Sequence, residues 1–237
     1  MFSFIIPVLY EGPSINICIS KLCQQFADHL FEIIIVDGDS EKSTIKHIKP
    51  TFLSSYPKIK LAISQSGRGI QMNRGAELAD GDILIFLHAD TKLPSDALTH
   101  IDKVIKTGQY KAGAFKLRFD SQRKIYRLIE FFASLRCRLT RIPYGDQAIF
   151  ISKSYFQKIG GFSEIPIMED IDIMLRIRRL KDRVFISDKW VQTSARRWEK
   201  EGVLYCSLRS FILALLFRIG ISPYRLLKYY KIFHNKK

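Results

Sequence analysis

Charged side chains fall in tight groups along this chain: Asp37-Gly38-Asp39-Ser40, His88-Ala89-Asp90, Glu169-Asp170 and Arg196-Arg197-Trp198. Carboxylate oxygens are the ligands a hard divalent cation takes, and a positioned carboxylate also serves as a general base. A planar guanidinium pairs with phosphate oxygens two at a time. The two common nucleotide loops are missing. Gly67-Arg68-Gly69 is not followed by the third glycine of a dinucleotide fingerprint, and no GxxxxGK[ST] run occurs. A nucleotide could still bind through carboxylates and a metal. Each acid also has a plainer use, as a turn former or a helix cap.

The elements that must position these groups alternate. Apolar, β-branched runs at 4–8, 33–36, 61–64 and 83–87 suit strands buried on both faces of a mostly parallel sheet. Between the first two, Ile15, Ile19, Leu22 and Phe26 recur at helical spacing, with Ser14 as the N-cap. Further helices are predicted over 71–79, 95–107, 125–138 and 168–179, and further strands over 112–119 and 147–152. Strand–helix alternation predicts a single doubly wound, Rossmann-like α/β domain whose ligands bind at the carboxyl ends of the strands. Asp37 and the His88-Ala89-Asp90 group both follow strands, so both face that crevice. This placement favours function over turn formation. No internal repeat or low-complexity segment divides the chain.

Composition narrows the partners. With 38 Lys and Arg against 23 Asp and Glu, the formal charge is +15, which favours nucleic acid, a membrane surface or a phosphorylated substrate. The cations gather late, at 118–141, 176–183 and in the tail, while acids occupy the predicted sheet edge. Those acids repel a phosphate backbone, so no nucleic-acid partner is expected. Cys18, Cys23, Cys137 and Cys206 form no CxxC pair and read as reduced thiols of a cytoplasmic protein. No leader peptide is expected ahead of the first strand. The apolar stretch near 203–221 is cut by Arg209 and Arg218, too closely spaced for a membrane span. Its basic flanks suit an anionic membrane surface, a helix packed on the domain, or a dimer face. A peripheral place on the inner face of the membrane is the expectation.

Phe4-Ile5-Ile6-Pro7, Val36-Asp37-Gly38-Asp39-Ser40, Phe86-Leu87-His88-Ala89-Asp90, Gly160-Gly161-Phe162, Glu169-Asp170 and Arg197-Trp198 occur in the order seen in family 2 glycosyltransferases. The chain resembles that family over roughly residues 2–230. The stretch from Gly67 to Ala76 looks like a compact bacterial subgroup of it. The resemblance implies the GT-A fold with C-terminal helices. It divides the chain into a glycosyltransferase domain at 1–202 and a basic amphipathic tail at 203–237. Within the domain, 1–110 is the nucleotide-sugar half and 111–202 the acceptor half.

By the same resemblance, Asp90 holds a divalent metal, Mn²⁺ or Mg²⁺, in a DxD-like motif whose first acid is here His88, with Ala89 between them. Asp37 reads the nucleobase, favouring a UDP-sugar. Pro7 and Glu11 cradle the nucleotide, and Arg68 and Asn73 contact it. Asp170 is the base of an inverting, non-processive transfer, and Glu169 assists it. Arg197 pairs with diphosphate. Trp198, Asp146 and Gln147 face the acceptor, which a membrane-associated tail would suit if lipid-linked. Alternative readings are a sugar-phosphate nucleotidyltransferase, disfavoured because residues 7–14 contain no Arg or Lys, and a binding protein that has lost catalysis.

Overall fold

The computed structural model describes residues 1–55 and 58–230. Lys231, Lys236 and Lys237 of the expected basic tail lie outside the described residues. The strands are β1 (Phe2–Val8), β2 (Phe31–Asp37), β3 (Ile59–Ile63), β4 (Ile83–Phe86), β5 (Ala112–Phe119), β6 (Ile149–Ser152) and β7 (Val184–Thr193). They form one sheet in the order β3-β2-β1-β4-β6-β5-β7. β6 alone of these runs against its neighbours β4 and β5, and the other pairings are parallel. The α/β class and the mostly parallel sheet are thus as expected.

The helices are α1 (Ile15–Gln25), α2 (Pro50–Ser55), α3 (Arg68–Leu78), α4 (Ala97–Lys106), α5 (Lys124–Thr140), α6 (Lys153–Lys158), α7 (Glu169–Arg179), α8 (Arg196–Glu201), α9 (Val203–Arg218) and α10 (Pro223–Leu226). One face of the sheet is covered by α1 and α4, where Ile19, Leu22, Leu98 and Ile101 bury against Phe4, Ile6 and Ile35. The other face is covered by α3, α6, α7 and α9, through Met72, Phe156, Met174 and Leu213. The fully apolar strand runs follow from this, since both sides of each central strand are dry. α9 packs Leu213 and Ala214 into the cluster on the second of these faces.

Some local expectations shift. Ser14 occupies the N-cap of α1 as expected, but its side chain makes no cap bond; it ends a 3₁₀ turn over Gly12–Ser14 and its hydroxyl donates to the Glu11 carbonyl at 2.6 Å. α3 begins at Arg68, earlier than expected, because Gly67 turns the chain at a φ of 147°. β7 is not among the expected strands, although it opens on the apolar run Val184-Phe185-Ile186. Its register against β5 shifts between Ala114 and Lys116, and such a bulge breaks the alternation that marks a strand.

This topology gathers the chemistry at one edge. The carboxyl ends of β1, β2, β4, β5 and β7 lie together, and β6 starts there because Ile149 pairs with Phe86. Between β1 and β4 the strand order reverses direction of growth, which is where open α/β sheets bind ligands. The opposite edge is held by a polar clasp. There the buried Glu32 accepts from the Ser3 hydroxyl at 2.7 Å and from Gly81 N at 3.2 Å, and pairs with Lys60 at 2.9 Å.

Candidate active site

A cavity of about 530 Å³ opens at that edge. The β1 end supplies Pro7, Val8, Leu9 and Glu11, and the β4 end supplies His88, Ala89 and Asp90. The turn before β6 adds Tyr144, Gly145 and Asp146, and the start of α7 adds Asp170. Arg68 enters from α3, and Arg196, Arg197 and Trp198 from α8. Ten of the residues expected from the sequence thus meet around one cavity: Pro7, Glu11, Arg68, His88, Ala89, Asp90, Asp146, Asp170, Arg197 and Trp198.

Asp170 is held rigidly. One carboxylate oxygen accepts from Gly145 N at 2.6 Å, and the other from Ile171 N at 2.8 Å in the first turn of α7. The residue before α7, Met168, adopts a left-handed φ of 69°, a conformation a bulky side chain rarely takes outside a functional turn. Asp146 stands beside this pair with one buried oxygen lacking a partner. Burial, then the neighbouring Asp170, pushes the Asp146 carboxyl up to about 6.

At the other wall, burial raises the Glu11 carboxyl and the charge of Asp90 adds to it, against the pull of Arg196. Arg196 Nη2 lies 3.6 Å from Asp90. Burial and then Arg68 lower the His88 imidazole below its ordinary range. It is a neutral ring at pH 7, with one donor and one acceptor nitrogen. Arg197 donates to the Tyr230 hydroxyl at 2.7 Å and to Glu201 at 3.2 Å, while its Nη2 is buried without a partner. A guanidinium nitrogen orphaned at a cavity wall is suited to an incoming oxyanion. Trp198 packs edge-on against Phe119 with centroids 4.6 Å apart.

Other expected residues turn away from the cavity. Asp37 is fully buried, and its carboxylate closes its own loop. One oxygen accepts from Thr44 N at 2.7 Å and Ile45 N at 3.0 Å, the other from Asp39 N at 3.2 Å and the Ser43 hydroxyl at 3.4 Å. Four donors thus surround this carboxylate within its own loop. Asn73 clasps Phe162, giving its amide hydrogen to the carbonyl and taking the N–H, both at 2.9 Å. Gln147 donates to the Phe115 carbonyl at 2.8 Å and accepts from Tyr144 N at 3.0 Å. Both amides belong to the scaffold. Glu169 lies behind the cavity wall, 1% exposed, and holds Arg68 Nε at 2.9 Å. Burial raises its carboxyl against the pull of Arg68, and Asp170 adds to the rise. Its second carboxylate oxygen is buried without a partner.

Residues the sequence left unassigned complete the lining. Ser210, Ala214 and Tyr230 come from the C-terminal segment. Their place depends on a long-range fold-back, and no local pattern announces it. Tyr144 lies under the Arg136 guanidinium at 3.5 Å to its centroid. Among the described residues, no group of three or more His, Cys, Asp or Glu could hold a metal ion. Asp90 and Glu11, close enough for the Asp90 charge to raise the Glu11 carboxyl, carry the carboxylate oxygens a hard divalent cation takes.

A seven-strand GT-A-like sheet carrying acids and guanidinium groups at one edge defines a class, and the comparisons with known proteins agree. Residues 3–164 match the family model "Glycosyl transferase family 2". This chain belongs to that family. A PGL/p-HBAD biosynthesis glycosyltransferase of Mycobacterium bovis is 26% identical over 196 residues, covering 74% of this chain and 69% of the relative. A beta-monoglucosyldiacylglycerol synthase of Trichormus variabilis is 24% identical over 187 residues, covering 72% of this chain and 38% of the relative. Among solved structures, residues 1–349 of S. aureus TarS in complex with UDP-GlcNAc align with a TM-score of 0.61 at 19% identity. That alignment covers 81% of this chain and 58% of TarS 1–349, so the chain spans little more than half of that neighbour. The likeness shows the GT-A fold.

Proposed function

We propose that this protein transfers a sugar from a nucleotide-diphosphate donor to an acceptor hydroxyl with inversion, one sugar at a time. The observation that carries this reading is the gathering of Asp170, Asp90 and three guanidinium groups around one cavity at the β1–β4 crevice. The donor diphosphate lies between the β1 and β4 ends. Arg68, Arg196 and Arg197 balance the charge that grows on the leaving phosphate oxygen as its bond to the anomeric carbon breaks. A divalent ion held by Asp90, with Glu11 beside it, would add Lewis-acid stabilisation of the same charge. Asp170 accepts the proton of the acceptor hydroxyl while that oxygen attacks the anomeric carbon from the face opposite the diphosphate. The products are the inverted glycoside and a nucleoside diphosphate. Asp146 receives the acceptor through its unpaired oxygen, and Trp198 walls that side.

UDP as carrier is supported by the UDP-GlcNAc bound to TarS. A lipid-linked acceptor is supported by the diacylglycerol in the name of one relative. The test is nucleotide release from a panel of UDP- and GDP-sugars. Wild type should release nucleotide from one of them. Asp170→Asn should lower kcat by about 10²–10⁴-fold with donor affinity unchanged. No release from any sugar, with or without Mn²⁺, contradicts the reading.

A further inference from the structure

Two helices leave apolar stripes uncovered. On α5, Leu128, Phe131, Leu135 and Leu139 recur at helical spacing and are exposed by 52%, 60%, 41% and 76%. The opposite side of α5 buries Tyr126, Glu130 and Cys137. On α9, Leu204, Leu208, Phe211 and Leu215 repeat the pattern, exposed by 73%, 61%, 56% and 47%. The opposite side of α9 buries Cys206, Arg209, Leu213 and Ala214. An unpartnered apolar stripe of this length on a helix marks a partner surface.

The two stripes start at one place. A groove of about 560 Å³ is lined by Arg123 and Ile125 at the start of α5, by Trp198 and the exposed Glu199 of α8, and by residues 202–205 at the start of α9; Glu199 is the one acid in this lining. Trp198 lines this groove and the main cavity alike. Both helices therefore set out from the acceptor side of the active site.

Charge selects the partner. From residue 202 to the C-terminus the sequence contains no Asp or Glu. Between residues 121 and 145 the sole acid is Glu130, buried and bonded to Phe119 N at 2.7 Å. Around the stripes stand exposed Arg123, Lys124, Arg138 and Arg141 on one side and Arg218, Arg225 and Lys228 on the other. A twofold dimer through this face would set cations against cations. An anionic bilayer satisfies both halves, its acyl boundary taking the stripes and its headgroups the arginines.

We infer that α5 and α9 together form a monotopic docking face for an anionic lipid bilayer, bringing the Trp198 side of the cavity to the lipid surface. No helix among the described residues is long and apolar enough to cross a membrane, so the face lies on the bilayer. The inference stands apart from the transferase reading. Vesicle binding tests the one and nucleotide binding the other.

The experiment is flotation of the purified full chain with vesicles of phosphatidylcholine alone or enriched in phosphatidylglycerol, at low and high salt. The chain should float with the anionic vesicles, less so at high salt, and stay behind with the neutral ones. Phe131→Ser with Phe132→Ser on α5 should weaken binding at least about tenfold, as should Leu208→Ser with Phe211→Ser on α9. Unchanged melting temperature and nucleotide affinity verify the fold of each variant. Should a double variant fail to fold, Leu135→Trp in the otherwise unaltered chain takes its place; its added emission should shift to the blue on anionic vesicles. A folded α5 variant that binds like wild type, an unshifted emission from Leu135→Trp, or equal binding to neutral vesicles overturns the proposal. So does a stable dimer that the same substitutions dissociate.

Discussion

Asp146 and Asp170, proposed as acceptor-binding acid and base, are held in different ways. Asp170 has both oxygens engaged by backbone N–H groups, so its direction is set before any substrate arrives. Asp146 has one oxygen idle, and its carboxyl is raised to about 6 by burial and by Asp170. The folded state therefore binds this proton more tightly than the unfolded chain. The stability it contributes is present at low pH and lost as pH rises through about 6. Asp146→Asn should accordingly gain stability over wild type by about 1–2 kcal/mol at pH 7.5, with the gap closing toward pH 5. Urea denaturation at the two pH values checks this; an equal or larger gap at pH 5 refutes it. Activity should fall in the same variant through a higher acceptor KM.

At this scale the sequence is a good guide to where an acid stands and a poor guide to what it touches. Asp90 and Asp170 follow a strand and open a helix, positions legible from apolar runs alone. Asp37 follows a strand equally well, yet its oxygens turn back to Thr44 and Ile45. The geometry of the intervening loop decides that, and no spacing rule contains it. Asn73 and Gln147 were hidden for the same reason: short amide side chains are as useful to a neighbouring backbone as to a ligand.

Among the elements, α3 shows most plainly what positioning requires. It carries Arg68 to the cavity and packs so tightly on β1 that a side chain at Gly75 would collide with Ile5. Gly75→Ala should cost about 1–3 kcal/mol, read as a lower urea midpoint with an unchanged slope. An unchanged midpoint would mean that α3 has room to lift off β1. The buried strands and this helix were legible because their patterns are uninterrupted. β7 was not, since its bulge and its central Asp188-Lys189 break the period of two. What β7 does is deliver Thr193 and Ser194 to the cavity, directly ahead of α8.

For the molecule as a whole, the fold-back of the C-terminal segment matters most. Buried Arg209 on α9 is ion-paired with buried Glu201, which also accepts from Arg197 at 3.2 Å. Tyr230 closes the same group through its hydroxyl on Arg197. Position and aim of the Arg197 guanidinium thus depend on Arg209, through Glu201, and on Tyr230. Arg209→Met leaves the Glu201 charge buried without its partner on α9 and should destabilise by about 3–5 kcal/mol. Adding Glu201→Gln should restore part of that loss, and a double-mutant cycle in urea measures the coupling. Simple additivity of the two would break the proposed link between tail and cavity. Composition made the tail's basic and apolar character plain, but not its place as a wall of the active site.

The central claim is that the β1–β4 crevice is a donor site in which Asp90 holds a metal against a nucleotide diphosphate. Calorimetric titration of UDP into the purified protein, with Mn²⁺ or with EDTA, tests it most directly. Wild type should bind UDP with Mn²⁺ and lose most of that affinity in EDTA, and Asp90→Ala should bind weakly in both. Equal binding in Mn²⁺ and EDTA, unaffected by Asp90→Ala, would contradict the metal role; no binding of UDP or GDP in any condition would contradict the donor site itself.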